Sequence, residues 1–138
     1  MSEAHLQLLM RLIPLLERYA TEVTPVQIGA DLEVWLKVRS GLETAAQCAI
    51  DLALAMVARR KLGPAESYRH AFTLLGSAGV IDQDLAARLA GWAGLRNVLA
   101  HVYTSLDLDK LHAALGDTAP LRAFAAVAGR ELGVPGWD

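Results

Sequence analysis

The sequence predicts an all-α protein, an up-and-down bundle of four to five helices forming a single domain over residues 1–138. Two observations lead there. Apolar side chains recur at three- and four-residue intervals through stretches long enough for several helical turns, and no stretch alternates with the period of a strand. Glycine, proline and capping residues separate those stretches, so that successive helices fold back on one another.

The first helix runs from Ser2 to about Tyr19, with Leu6, Leu9, Leu12, Ile13 and Leu16 at core spacing. Pro14 lies inside it, has no N–H to donate, and should kink or divide the helix. Thr21 to Ala30, holding Pro25 and Gly29, reads as a loop or irregular turn. The second helix starts near Asp31, is the longest, and stops near Leu62 with Gly63 beyond it. Val34, Val38, Leu42, Ala45, Ala49, Leu52 and Met56 share its apolar face, while Arg39, Glu43, Gln47 and Asp51 form a polar row at i, i+4 spacing. Arg59, Arg60 and Lys61 suit its C-terminus, where the helix dipole favours cations.

Pro64 opens the third helix at a first-turn position, Tyr68, Phe72 and Leu75 give it a buried face, and Gly76 to Gly79 ends it. The fourth helix begins after Asp82, a side chain suited to the N-cap, and runs to the neighbourhood of Tyr103. Thr104 to Asp107 then turns the chain. The fifth follows from Leu108 with Leu111, Leu115, Leu121, Phe124 and Val127 inward, broken between Gly116 and Pro120. The tail from Gly133 to Asp138, which carries Trp137, is irregular.

Composition narrows the function classes. Hydrophobic residues make up 54%, charged residues 20%, and mean hydropathy is +0.30, which favours an apolar face covered by a partner. Cys48 stands alone within an apolar helical pattern, which excludes an intrachain disulfide framework and a thiolate zinc site. Glu17 and Arg18 interrupt the one leucine-rich N-terminal patch, so neither a signal peptide nor a membrane span is expected, and the cytoplasm is the default location. Net charge is −2, so any affinity for nucleic acid has to come from a local basic site. His5 and His112 lack partners at ligand spacing, and Asp107 and Asp109 suit a helix cap better than a cation. There is no H-E-x-x-H, phosphate-cradling glycine loop or G-x-S-x-G, and the expected cofactor and metal content is none.

The fourth helix gathers the chemistry. At about 100° per residue Arg96 and Tyr103 lie nearly over one another, with Asn97 and His101 as an i, i+4 pair on the neighbouring strip. Trp92, Leu95, Val98, Leu99 and Val102 occupy the other side as the expected core face. Ala86, Ala90, Ala93 and Ala100 share the polar side, where methyl-sized side chains let a second helix approach, as a two-fold dimer with its site at the seam requires. An alanine-rich chain also places alanines everywhere. Arg96 and Tyr103 equally suit a stacking pair, and His101 a helix end whose dipole favours its charge.

Arg96, His101 and Tyr103, with Asn97 as the polar residue after the arginine, resemble the R-x4-H-x-Y motif of HepT toxins in the HEPN superfamily of small helical ribonucleases. The likeness spans nearly the whole chain and includes the P-x-x-S-Y run that ends at Tyr68. It implies a homodimeric, metal-independent endoribonuclease in which the RNA supplies its own 2′-hydroxyl as nucleophile. His101 would move protons, since an imidazole's ordinary pKa of about 6.5 lies near working pH. Arg96 would hold the phosphate with a planar, permanently charged fork, and Asn97 would support either group. Arg39, Glu43, Gln47 and Asp51 would stand behind them. Family toxins pair with MntA antitoxins, minimal nucleotidyltransferases that transfer AMP to the motif tyrosine, which assigns AMPylation to Tyr103. The alternative within the superfamily is an inactive HEPN binding module that partners a nucleotidyltransferase.

Overall fold

The computed structural model describes residues 2–102 and 104–137, and these form helices joined by short connections. In chain order they are α1 (Ser2–Glu22), α2 (Pro25–Ala30), α3 (Leu32–Arg59), α4 (Tyr68–Ser77), α5 (Gln83–His101), α6 (Leu108–Leu115) and α7 (Ala119–Glu131). The all-α bundle is as expected, with more pieces than the four to five helices predicted.

The hub is α3. Val38, Leu42, Ala45, Ala49, Ile50, Leu52, Ala53 and Met56 are fully buried along it, and α1, α2, α4, α5, α6 and α7 all pack against it. Its apolar length would reach across a bilayer, but most of that stretch is enclosed by the other helices, as befits the central helix of a bundle. Phe72 of α4 meets Phe124 of α7 edge to face at 5.5 Å between ring centroids, closing the core on that side. Cys48 is buried as expected; desolvation pushes its thiol up to about 11, with the nearby Asp51 charge adding to the rise.

Three local expectations are corrected. α1 runs through Pro14 without dividing, because Pro14 sits on the exposed side, where water can take over the missing backbone bond. The expected loop from Thr21 to Ala30 contains α2, started by a capping box. The Thr24 hydroxyl accepts from the Gln27 N–H at 3.2 Å, the Gln27 side chain accepts from the Thr24 N–H at 2.9 Å, and Pro25 takes the first turn. Pro64 does not open the next helix. The Ser67 hydroxyl caps α4 by accepting from His70 N–H at 3.0 Å, and His70 Nδ1 accepts from Glu66 N–H at 2.9 Å, which moves the start four residues on.

Other ends follow the sequence. Asp31 caps α3, Asp82 caps α5 and Asp107 caps α6, each through its carboxylate. α3 stops at Arg59, a little before the expected Leu62, as Lys61 turns to positive φ. Arg60 is recruited by tertiary structure rather than by the dipole alone, donating to both oxygens of Glu131 at 2.8 and 2.7 Å and tying α3 to α7. Trp137 docks back against Gly129 of α7.

Candidate active site

α5 orients the site, and it does so with a different face inward from the one its sequence suggested. Ala86, Leu89, Trp92, Ala93 and Leu99 are buried, whereas Val98 is 45% exposed and Leu95 only half-buried. The cause is close packing between small residues. A methyl group built at Gly76 of α4 would sit 2.8 Å from the Ala86 Cβ, so the two helices approach at a point where neither has bulk. Part of the alanine stripe expected to receive a second helix therefore serves α4 of the same chain. As a result, Arg96 meets α3 and α4 of its own chain.

There Arg96 is held from two directions. Its Nε donates to Gln47 Oε1 on α3 at 2.8 Å, and its guanidinium lies over the Tyr68 ring at 5.6 Å from the centroid. Gln47 Nε2 donates to Asp51 Oδ1 at 2.9 Å, and Asp51 Oδ2 lies 3.4 Å from His5 Nε2 on α1. Arg69 of α4 lies directly against Gly94 of α5. Tyr68 contributes its ring face to this contact. His5, Arg69 and the ring contact carried no signal in the sequence, because each depends on which helices are neighbours.

The other half of the α3 row serves the end of α5. Arg39 Nη2 donates to the Leu99 carbonyl, one of the last-turn acceptors that the helix itself cannot satisfy. Arg39 also stacks on Trp35 at 5.4 Å and lies 3.9 Å from Glu43. Thus Gln47 binds the arginine with Asp51 behind it, while Arg39 binds the last turn of α5 with Glu43 beside it.

Asn97 and His101 are exposed, and His101 is the last residue of α5, closed by Val102 N–H donating to the Val98 carbonyl at 2.8 Å. His101 lies five positions after Arg96, which directs them about 140° apart around the helix axis. Tyr103 lies outside the described residues. Of the remaining histidines, His112 Nε2 donates to the Val23 carbonyl at 2.8 Å, and His70 is committed to its cap. Among the described residues no three His, Cys, Asp or Glu groups come together as a metal set. A cleft of about 430 Å³ lies between α5 and α6, lined by Arg88, Trp92, Leu95, Lys110 and Asp117 among others, and Arg96 does not line it.

Comparison with known proteins places the chain in a family. Residues 10–127 match the family model described as ribonuclease HepT-like, and the chain belongs to that family. An mRNA nuclease HepT of Shewanella oneidensis is 34% identical over 83 residues, spanning 60% of this chain and 62% of the relative. Among solved structures, the tri-AMPylated HEPN toxin of Shewanella oneidensis in complex with MNT antitoxin is similar at 25% identity. It aligns over 94% of each chain with a TM-score of 0.76. A mutant MntA–HepT toxin–antitoxin structure matches 92% of this chain and 96% of its own at 24% identity and a TM-score of 0.82, a likeness of fold.

Proposed function

We propose that this chain is the toxin of a toxin–antitoxin pair, a metal-independent endoribonuclease that cleaves RNA through the substrate's own 2′-hydroxyl. The observation that carries the reading is the state of Arg96. A guanidinium held at Nε and lying over the Tyr68 ring is preorganised to meet a phosphate, and its helix ends in an exposed histidine. The relatives lend it weight, one being an mRNA nuclease and another an AMPylated toxin bound to its antitoxin.

In the reaction the 2′-oxygen forms a bond to phosphorus as the bond from phosphorus to the 5′-oxygen breaks. One proton leaves the 2′-hydroxyl and one reaches the departing 5′-oxygen. His101 performs one of these transfers, Arg96 neutralises charge on the non-bridging oxygens, and Asn97 holds a phosphate oxygen or orients His101. Arg39 and Glu43 steady the end of α5 from which His101 projects.

Because Arg96 and His101 diverge around one helix, the reading includes a homodimer in which a second copy brings the complementary pair to the same phosphate. Exposed Leu32, Leu36 and Val98 supply apolar surface near that end of the molecule for such a contact. Tyr103 is the AMPylation site of an MntA-like nucleotidyltransferase antitoxin. Added AMP would bring bulk and negative charge to the motif and repel an incoming phosphate. The protein would act in the cytoplasm, where its RNA substrate lies.

The ends of the product RNA test the mechanism. Cleavage by 2′-hydroxyl attack leaves a 2′,3′-cyclic phosphate on one fragment and a 5′-hydroxyl on the other, readable by mass spectrometry. Fragments with 5′-phosphate ends would require an external nucleophile and would contradict the scheme.

A further inference from the structure

We propose that His5, Asp51 and Gln47 form a positioning chain that sets the angle of the Arg96 guanidinium, an inference that rests on the nuclease reading above. Four side chains from three helices connect in series. Arg96 Nε donates to Gln47 Oε1 at 2.8 Å, Gln47 Nε2 donates to Asp51 Oδ1 at 2.9 Å, and His5 Nε2 lies 3.4 Å from Asp51 Oδ2. The chain starts at the site and ends in the first turns of α1, about one-third exposed.

The direction of the series follows from what each group can do. A guanidinium only donates and an ionised carboxylate only accepts, so the amide between them has one workable orientation. Turned the other way, Gln47 would set its NH2 against the guanidinium and its oxygen against the carboxylate, and both contacts would be lost. Asp51 therefore decides which end of Gln47 meets Arg96. His5, facing the second carboxylate oxygen from α1, helps to hold Asp51 in place. With Nε occupied and one face on Tyr68, the guanidinium has little freedom to rotate about its side-chain torsions. Among the described residues no acceptor is bonded to its terminal nitrogens, which leaves the fork end for the phosphate. An arginine set in advance loses less on reaching the transition state than one that must be ordered there.

The residues are positioning groups, so the test needs readouts that general destabilisation would not move. Gln47→Leu and Asp51→Asn are expected to lower kcat about tenfold or more while KM changes little, since a small misplacement weakens the transition state most. His5→Leu should lower kcat by a smaller factor, and His5→Gln, which keeps a donor, should restore it. Independently of activity, the Arg96 Nε–H observed by nitrogen-15 NMR should exchange with solvent about tenfold faster in Asp51→Asn than in the wild type. If the wild type cleaves RNA and the variants keep its kcat, the positioning chain is overturned and the nuclease reading stands. If the wild type does not cleave, that reading fails, and the exchange rate alone decides whether Asp51 orders Arg96. Equal exchange in both proteins would overturn the chain on its own.

Discussion

Arg96 sits where three helices meet, and its surroundings reward the particular shape of arginine. The Nε hydrogen bond to Gln47 and the contact over Tyr68 are made together by one planar guanidinium whose terminal nitrogens stay available. Lysine keeps the charge but lacks the fork, so it cannot hold Gln47 and Tyr68 and still present a pair of donors to a phosphate. Arg96→Lys is therefore expected to lose about a hundredfold in kcat for RNA cleavage at unchanged thermal stability, and near-wild-type turnover would show that only charge matters there. The motif residues were legible in the sequence because their spacing on one helix is local information. Their partners were only half legible. The Gln47 and Asp51 row was visible, but contact with Arg96 lies 49 residues away, and nothing local names His5 or the Tyr68 ring as neighbours.

The lesson among elements is that caps were readable and faces were not always. Asp31, Asp82 and Asp107 cap the helices that they precede, because capping is chemistry within one turn. The inward face of α5 escaped prediction since it is chosen by Gly76 on another helix, whose lack of a side chain draws the alanines in. Charge pairs also pin α7 across the bundle. The Arg60 bond and charge hold the Glu131 carboxyl below the ordinary range, and hydrogen bonds from Thr118 and Arg122 do the same for Glu17 on α1. A carboxyl with a lowered folded pKa stabilises above its unfolded value and loses that contribution as pH falls through the folded one. Glu131→Gln should thus lower Tm near neutral pH, with the difference fading below about pH 4. A difference that persisted unchanged into acid would mean that the pair does not act through charge.

For the whole molecule, the fold puts a polar strip of α3 beneath α5 and leaves Leu36 and Val98 in solvent at 50% and 45% exposure. A single chain directs Arg96 and His101 away from each other, so the account asks a second copy to complete each site. Arg96→Ala and His101→Ala proteins, each inactive alone, should regain cleavage when unfolded and refolded together, as mixed dimers rebuild one intact pair. No recovery, with mixed dimers confirmed by native mass spectrometry, would place both residues in one protomer's site. The bundle itself was legible because periodicity and punctuation are strong over long helices. Docking of its short pieces, such as α2 against α3 and Trp137 on Gly129, is decided by contacts that no single stretch encodes.

The most direct measurement is the cleavage of total RNA by purified protein in excess EDTA, beside His101→Ala. Mass spectrometry would first confirm that Tyr103 carries no AMP in either preparation. The account predicts fragments from the wild type that persist under chelation and none from the variant. Intact RNA with the unmodified wild type, or equal cleavage by His101→Ala, would contradict it.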